Sequence, residues 1–133
     1  MAYKTKATTR GGRDGRAVVE GGVLALAMAL QKDLGGSGEG HNPEQLFALG
    51  WSSCFGQAIL LLAKKHGLDG QAAKVTVDVA LNTDGGFSLA ADITVSIPGA
   101  DKAALTALVE EAHTVCPYSK ATRGNIPVTL KVA

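Results

Sequence analysis

The chain has 133 residues, 13 basic and 12 acidic side chains, and two cysteines. That length predicts a single domain over residues 1–133, and the balanced charge without any basic run argues against nucleic acid as a partner. Two cysteines are too few for a secreted disulfide scaffold, and the opening Met-Ala-Tyr-Lys-Thr-Lys lacks the apolar core of a signal peptide, so a cytoplasmic protein is expected.

Residues 3–9 alternate weakly and predict a first strand. Arg10-Gly-Gly-Arg-Asp-Gly-Arg16 reads as a turn, with glycines free to take positive φ. A return strand is expected at 17–19, followed by a Gly21-Gly22 turn. In residues 23–30, Leu24, Leu26, Met28 and Leu30 alternate with alanines, which predicts a strand with one buried face. Leu34-Gly-Gly-Ser-Gly-Glu-Gly-His41 is a flexible linker. It lacks the Gly-Lys-Ser/Thr ending of a phosphate-binding loop.

The central segment follows. Asn42 suits a helix cap, Pro43 the first helical position, and Gln45 sits three residues after the cap. Residues 46–63 carry no charge and almost no polar face, the pattern of a helix buried all round. The stretch lies at the lower edge of membrane-spanning length. Gly50, Ser52, Ser53, Gly56 and Gln57 dilute it, so a core helix is expected and no membrane association. Residues 74–81 alternate cleanly as a strand, 82–86 form a hairpin loop and 87–97 return. Asp101 caps a second helix with Leu105, Leu108, Val109 and Ala112 on one face. Cys116 continues that face, and Pro117 ends the helix. A last short strand at 126–132 starts on Pro127, which places it at a sheet edge. Strand hairpins on either side of helices predict an α+β fold with antiparallel sheet.

The chemistry points to the thiols. Cys54 lies mid-helix among Phe47, Gly50, Trp51, Gln57, Ala58 and Leu61. Desolvation on that face raises a thiol's pKa, and the helix dipole gives mid-helix residues little help. A reactive Cys54 therefore needs a cation from elsewhere, with Arg10, Arg13, Arg16 and Arg123 as candidates. Cys116, at a helix C-terminus, suits a thiol that resolves more than one that attacks first. Glu44 is the only carboxylate of the central helix, and ten residues, about 15 Å of straight helix, separate it from Cys54. It reaches Cys54 only if the helix breaks near Gly50, through an intermediary, or on a neighbouring chain. His41, His66 and His113 show no metal-ligand spacing, and His113 falls on the polar side with Glu110 and Glu111. Tyr118 and Ser119 read as turn residues.

The motif Asn42-Pro-Glu-Gln-Leu-Phe-Ala-Leu-Gly-Trp-Ser-Ser-Cys-Phe55 resembles the first-cysteine motif of the Ohr/OsmC family. Val115-Cys-Pro-Tyr-Ser-Lys-Ala-Thr-Arg-Gly-Asn125 resembles its second-cysteine motif. Gly11-Gly-Arg-Asp-Gly-Arg16 resembles the arginine turn of the organic hydroperoxide resistance branch. The resemblance implies an OsmC-like intertwined homodimer, with antiparallel sheets around a buried central helix and a second helix. It implies a thiol peroxidase that reduces organic hydroperoxides in oxidative-stress defence. Cys54 matches the attacking cysteine and Cys116 the resolving one. Arg13 matches the residue that activates the thiolate, and Glu44 the carboxylate that holds it. No metal or bound cofactor is implied. The expected reductant is an external dithiol, a lipoylated protein. Phe47, Trp51 and Phe55 are candidates to line an apolar substrate pocket. Trp51 stands where tyrosine is common in the family, His41 where threonine is frequent, and Lys120 where a neutral residue is common. The competing readings are a lipid-binding module with inert cysteines, a redox sensor, and the OsmC branch with other substrate preferences.

Overall fold

The structure is a computed structural model that describes residues 2–133. The chain divides into two compact units, residues 1–46 and 47–133.

In the first unit, β1 (Ala7–Arg10), β2 (Arg16–Val19) and β3 (Ala25–Ala27) form an antiparallel sheet in that order. Arg10 pairs with Arg16 across the mouth of the arginine turn, which winds as a short 3-10 helix over Gly12–Asp14. Gly11 and Gly12 take φ values of 79° and 55°, a region that disfavours side chains. At Gly15 a Cβ would lie 1.6 Å from the Arg10 carbonyl oxygen, so the turn closes only on glycine. The strand expected over 23–30 is shorter than its alternation predicts. Beyond Ala27 the backbone leaves the sheet, and Met28 forms an isolated parallel bridge with His41. The first strand likewise begins at Ala7 rather than residue 3.

Helix α1 (Pro43–Leu62) starts at a capping box. The Gln45 main-chain N–H donates to Asn42 Oδ1 at 2.9 Å, and the Asn42 N–H donates to Gln45 Oε1 at 3.1 Å. The helix passes Gly50 without a break, which removes the first of the three routes considered for Glu44. A 3-10 turn over Ala63–His66 follows and ends at Gly67, with φ 71°.

The second unit holds a sheet in the order β4 (Lys74–Asn82), β5 (Ser88–Ser96), β6 (Val128–Val132). The β4–β5 hairpin is antiparallel, and Pro127 precedes an edge strand as expected. The β5–β6 pairing is parallel, against the antiparallel expectation. A parallel neighbour needs a long crossover. Helices α2 (Lys102–Val115) and α3 (Pro117–Thr122) provide it. Asp101 caps α2, its carboxylate accepting the Ala104 N–H at 3.0 Å.

The core of this unit is built from three stripes. Trp51, Phe55, Ala58 and Ile59 come from α1. Leu105, Leu108, Val109 and Ala112 come from α2, and Ile93 and Val95 from β5. Each helical set recurs at three- and four-residue spacing, the period of one face. α1 is not buried all round as its composition predicts. Leu49 and Leu61 are 66% and 67% exposed, and Leu60 is also exposed. The sheet and α2 cover one side of the helix, and the apolar residues on the other side have no cover from this chain. The segment Pro43–His66 is long and apolar enough to cross a membrane. Its buried stripe, packed on a sheet and a second helix, is the arrangement of a core helix.

Truncating Ile93, fully buried on the middle strand, should cost about 2–5 kcal/mol as Ile93→Ala. Removing the α2 cap as Asp101→Ala should cost about 1 kcal/mol. Urea denaturation measures both. Equal losses would contradict the placement of Ile93 at the core.

Candidate active site

The first unit fixes one guanidinium. Arg13 sits in the 3-10 turn, and Asp14 beside it accepts the Leu30 main-chain N–H at 2.8 Å, tying the turn to the segment that carries Gln31. Arg13 meets Glu44 with two parallel bonds, Nη1 to Oε2 at 2.8 Å and Nη2 to Oε1 at 2.7 Å. Such a bidentate pair restrains the guanidinium's orientation as well as its position. Gln31 completes the cluster. Its Oε1 accepts from Arg13 Nη1 at 3.1 Å, and its Nε2 donates to Glu44 Oε2 at 2.7 Å. The hydrogen bonds from Arg13 hold the Glu44 carboxyl below the usual glutamate range, and the same pairing pushes Arg13 up. Gln31 is absent from the sequence-based set, since no local spacing marks a glutamine that bridges two distant residues.

The second unit brings the thiols together. Cys54 on α1 and Cys116 at the α2–α3 junction are both free, with their sulfurs 3.5 Å apart. A disulfide bond is about 2.05 Å, so closure needs a sulfur movement of roughly 1.5 Å. Cys116 is fully buried, whereas Cys54 is half-buried. Burial pushes the Cys54 thiol above its ordinary pKa. The Tyr118 main chain acts in the opposite direction, and the hydrogen bond with Cys116 adds to the rise.

Residues 117–122 form a helix, not the turn expected, because Pro117 starts α3 at its first position. Cys116 thus ends α2 and begins α3. Tyr118 stacks on Phe47 with ring centroids 6.3 Å apart, and Phe47 meets Trp51 at 5.4 Å. A Cβ on Gly50 would lie 2.9 Å from the Tyr118 hydroxyl, so glycine there makes room for that ring. Trp51 Nε1 donates to Ser119 Oγ at 3.2 Å, both side chains being fully buried. Phe55 is fully buried as well, and its ring faces His113 at 6.4 Å.

The histidines sort differently from the sequence reading. His113 is not on a solvated face. Its Nδ1 is buried without a partner, and burial, then the charge of Arg123, lowers its pKa. Arg123 donates to the His113 carbonyl oxygen and so caps the end of α2. His66 Nε2 and Lys65 Nζ both reach the Glu111 carboxylate, at 2.8 and 2.7 Å. Among the described residues no group of three or more His, Cys, Asp or Glu is placed to hold a metal ion.

Glu44 gives a pH prediction. Its folded pKa is depressed, so its stabilising contribution is present above the unfolded value near 4.5 and is lost as pH falls through the folded value. Glu44→Gln should cost about 2 kcal/mol at neutral pH, the scale of a charge-assisted hydrogen bond. The gap from wild type should narrow below pH 4.5 in denaturation curves. A gap that is constant with pH would contradict the ion pair.

Comparison with known proteins places this architecture. The family of OsmC-like proteins matches residues 36–131. An organic hydroperoxide resistance protein of Xanthomonas axonopodis pv. citri is 44% identical, with 100% of this chain and 96% of that protein aligned. The crystal structure of an organic hydroperoxide resistance protein from Legionella pneumophila superposes with a TM-score of 0.92 at 39% identity, covering 100% of this chain and 98% of that one. OhrB of Bacillus subtilis superposes with a TM-score of 0.85 at 37% identity, covering 98% of each chain. With its two three-stranded sheets and helices in this α+β arrangement, the chain belongs to the OsmC-like family, in the organic hydroperoxide resistance branch.

Proposed function

We propose that the chain is a two-cysteine thiol peroxidase that reduces organic hydroperoxides to alcohols. The observation that carries this reading is the pair of free thiols 3.5 Å apart, one half-buried and one fully buried. The Cys54 thiolate attacks the terminal peroxide oxygen, the O–O bond breaks, and the alkoxide leaves with a proton as the alcohol. Cys54 is now a sulfenic acid. The Cys116 thiol attacks its sulfur, water leaves, and a Cys54–Cys116 disulfide forms. An external dithiol then reduces the disulfide and is itself oxidised. Cys54, the more accessible sulfur, is the point of attack for that reductant. The family resemblance nominates a lipoylated protein.

Arg13 is the cation assigned to the Cys54 thiolate. Burial opposes ionisation of Cys54, so a thiolate at neutral pH needs a positive partner. Glu44 and Gln31 hold Arg13 in one orientation, which removes the entropy cost of aligning it when the peroxide binds. Phe47, half-buried, is the ring assigned to an alkyl or fatty-acyl chain in preference to hydrogen peroxide; Trp51 and Phe55, expected beside it, are fully buried and back it from the core without a surface of their own for the substrate. The uncovered Leu49, Leu60 and Leu61 are the surface assigned to a homodimer, since exposed apolar patches mark association sites. The reaction needs no bound metal or cofactor and suits a cytoplasmic protein.

Turnover of cumene hydroperoxide with lipoamide should vanish in Cys54→Ser. Cys116→Ser should trap one sulfenic acid and then overoxidise. Turnover at the wild-type rate in either variant would overturn the corresponding role. Arg13→Ala should slow peroxide attack about a hundredfold, the scale of one preorganised electrostatic donor. It should also move the pH midpoint of Cys54 alkylation upward. An unmoved midpoint would remove Arg13 from the mechanism.

A further inference from the structure

One stripe of α1 carries Phe47, Gly50, Trp51 and Cys54, and all four meet the first turn of α3 or its cap. The Tyr118 ring stacks on Phe47 and closes over Gly50, Trp51 donates to Ser119 Oγ at 3.2 Å, and Cys54 lies 3.5 Å from Cys116. Trp51 stands three residues before Cys54, and Ser119 three residues after Cys116. The hydrogen bond therefore runs beside the sulfur pair, one helical turn away on both helices. Both partners are fully buried, so water cannot replace the bond if it breaks, and two polar groups are left unpaired.

We propose that the Trp51–Ser119 hydrogen bond is a positioning contact for the cysteine pair, holding Cys116 at Cys54 in the reduced protein and so favouring closure of the disulfide. The inference rests on the dithiol reading above and adds what sets its equilibrium. A disulfide ties the start of α3 to α1, and the hydrogen bond makes the same tie without it. Where the bond is present, closing the disulfide orders little that is not already ordered. Where it is absent, the reduced form gains freedom that closure must remove. The coupling is reciprocal, so the disulfide also strengthens the hydrogen bond. Trp51 is the only tryptophan in the chain, and its emission reports the state of the contact.

The test is equilibration with glutathione: the protein dithiol and one glutathione disulfide exchange to a protein disulfide and two glutathione thiols. Peroxide plays no part, so the result is independent of peroxidase turnover. Trp51→Phe and Ser119→Ala should each lower the oxidation constant about tenfold, which is about 30 mV for this two-electron couple. The double variant should fall no further than either single, because all three lose the same bond. Ser119→Thr keeps the hydroxyl and should restore the constant. In the wild type, Trp51 emission should follow the same titration curve as thiol loss. A merely structural role would lower the melting temperature of both redox forms alike and leave the constant unmoved. Unchanged constants in both single variants, or additive effects in the double, would overturn the proposal. If Trp51→Phe does not fold, Ser119→Ala decides alone, since it removes one oxygen atom. A wild-type protein that forms no disulfide under oxidising glutathione overturns the dithiol reading itself.

Discussion

The packing of the α2–α3 junction on one stripe of α1 is the contact on which the proposed chemistry depends. It brings together two sulfurs from residues far apart in sequence and keeps them 3.5 Å apart without a covalent bond. The stripe works because its members differ. Gly50 yields space to the Tyr118 ring, Trp51 offers a polar tip from a fully buried body, and Cys54 stays partly open. Any larger side chain at Gly50 would have to displace that ring, and with it the start of α3.

Burial has two opposed effects here. It supplies an apolar setting in which an alkyl chain is stable, and it makes the Cys54 thiolate costly. The first unit holds a guanidinium fixed by a bidentate carboxylate and an amide, in a turn that closes only because Gly15 has no side chain, and the proposed mechanism assigns it to that thiolate. Preorganisation of this kind costs stability or composition elsewhere, and the glycine-rich arginine turn is where that cost is visible.

Local signals were legible in the sequence. The Asn42–Gln45 capping box, the Asp101 cap and the apolar face of α2 are found where their spacing predicts. Non-local facts were less so. Strand direction depends on the whole crossover, so the parallel β5–β6 pairing was hidden behind a hairpin-rich pattern. Helix α3 was missed although Pro117 at its first position is a known start signal, because the same proline also ends α2. Gln31 and the buried His113 Nδ1 depend on partners or surroundings that no linear pattern reveals. The composition of α1 predicts burial all round, but a single chain covers only one side of it. The roles proposed for Arg13, Glu44, Cys54 and Cys116 rest on motif resemblance, and spacing alone does not single out the arginine.

The central claim is that peroxide oxygen passes to one sulfur and ends as a disulfide to the other. Treating the reduced protein with one equivalent of cumene hydroperoxide and mapping its peptides measures this directly. The account predicts loss of two hydrogens, a single link between the Cys54 and Cys116 peptides, and cumyl alcohol formed in equal amount. A protein that keeps both thiols free, or carries separate oxygenated cysteines with no link between them, would contradict it.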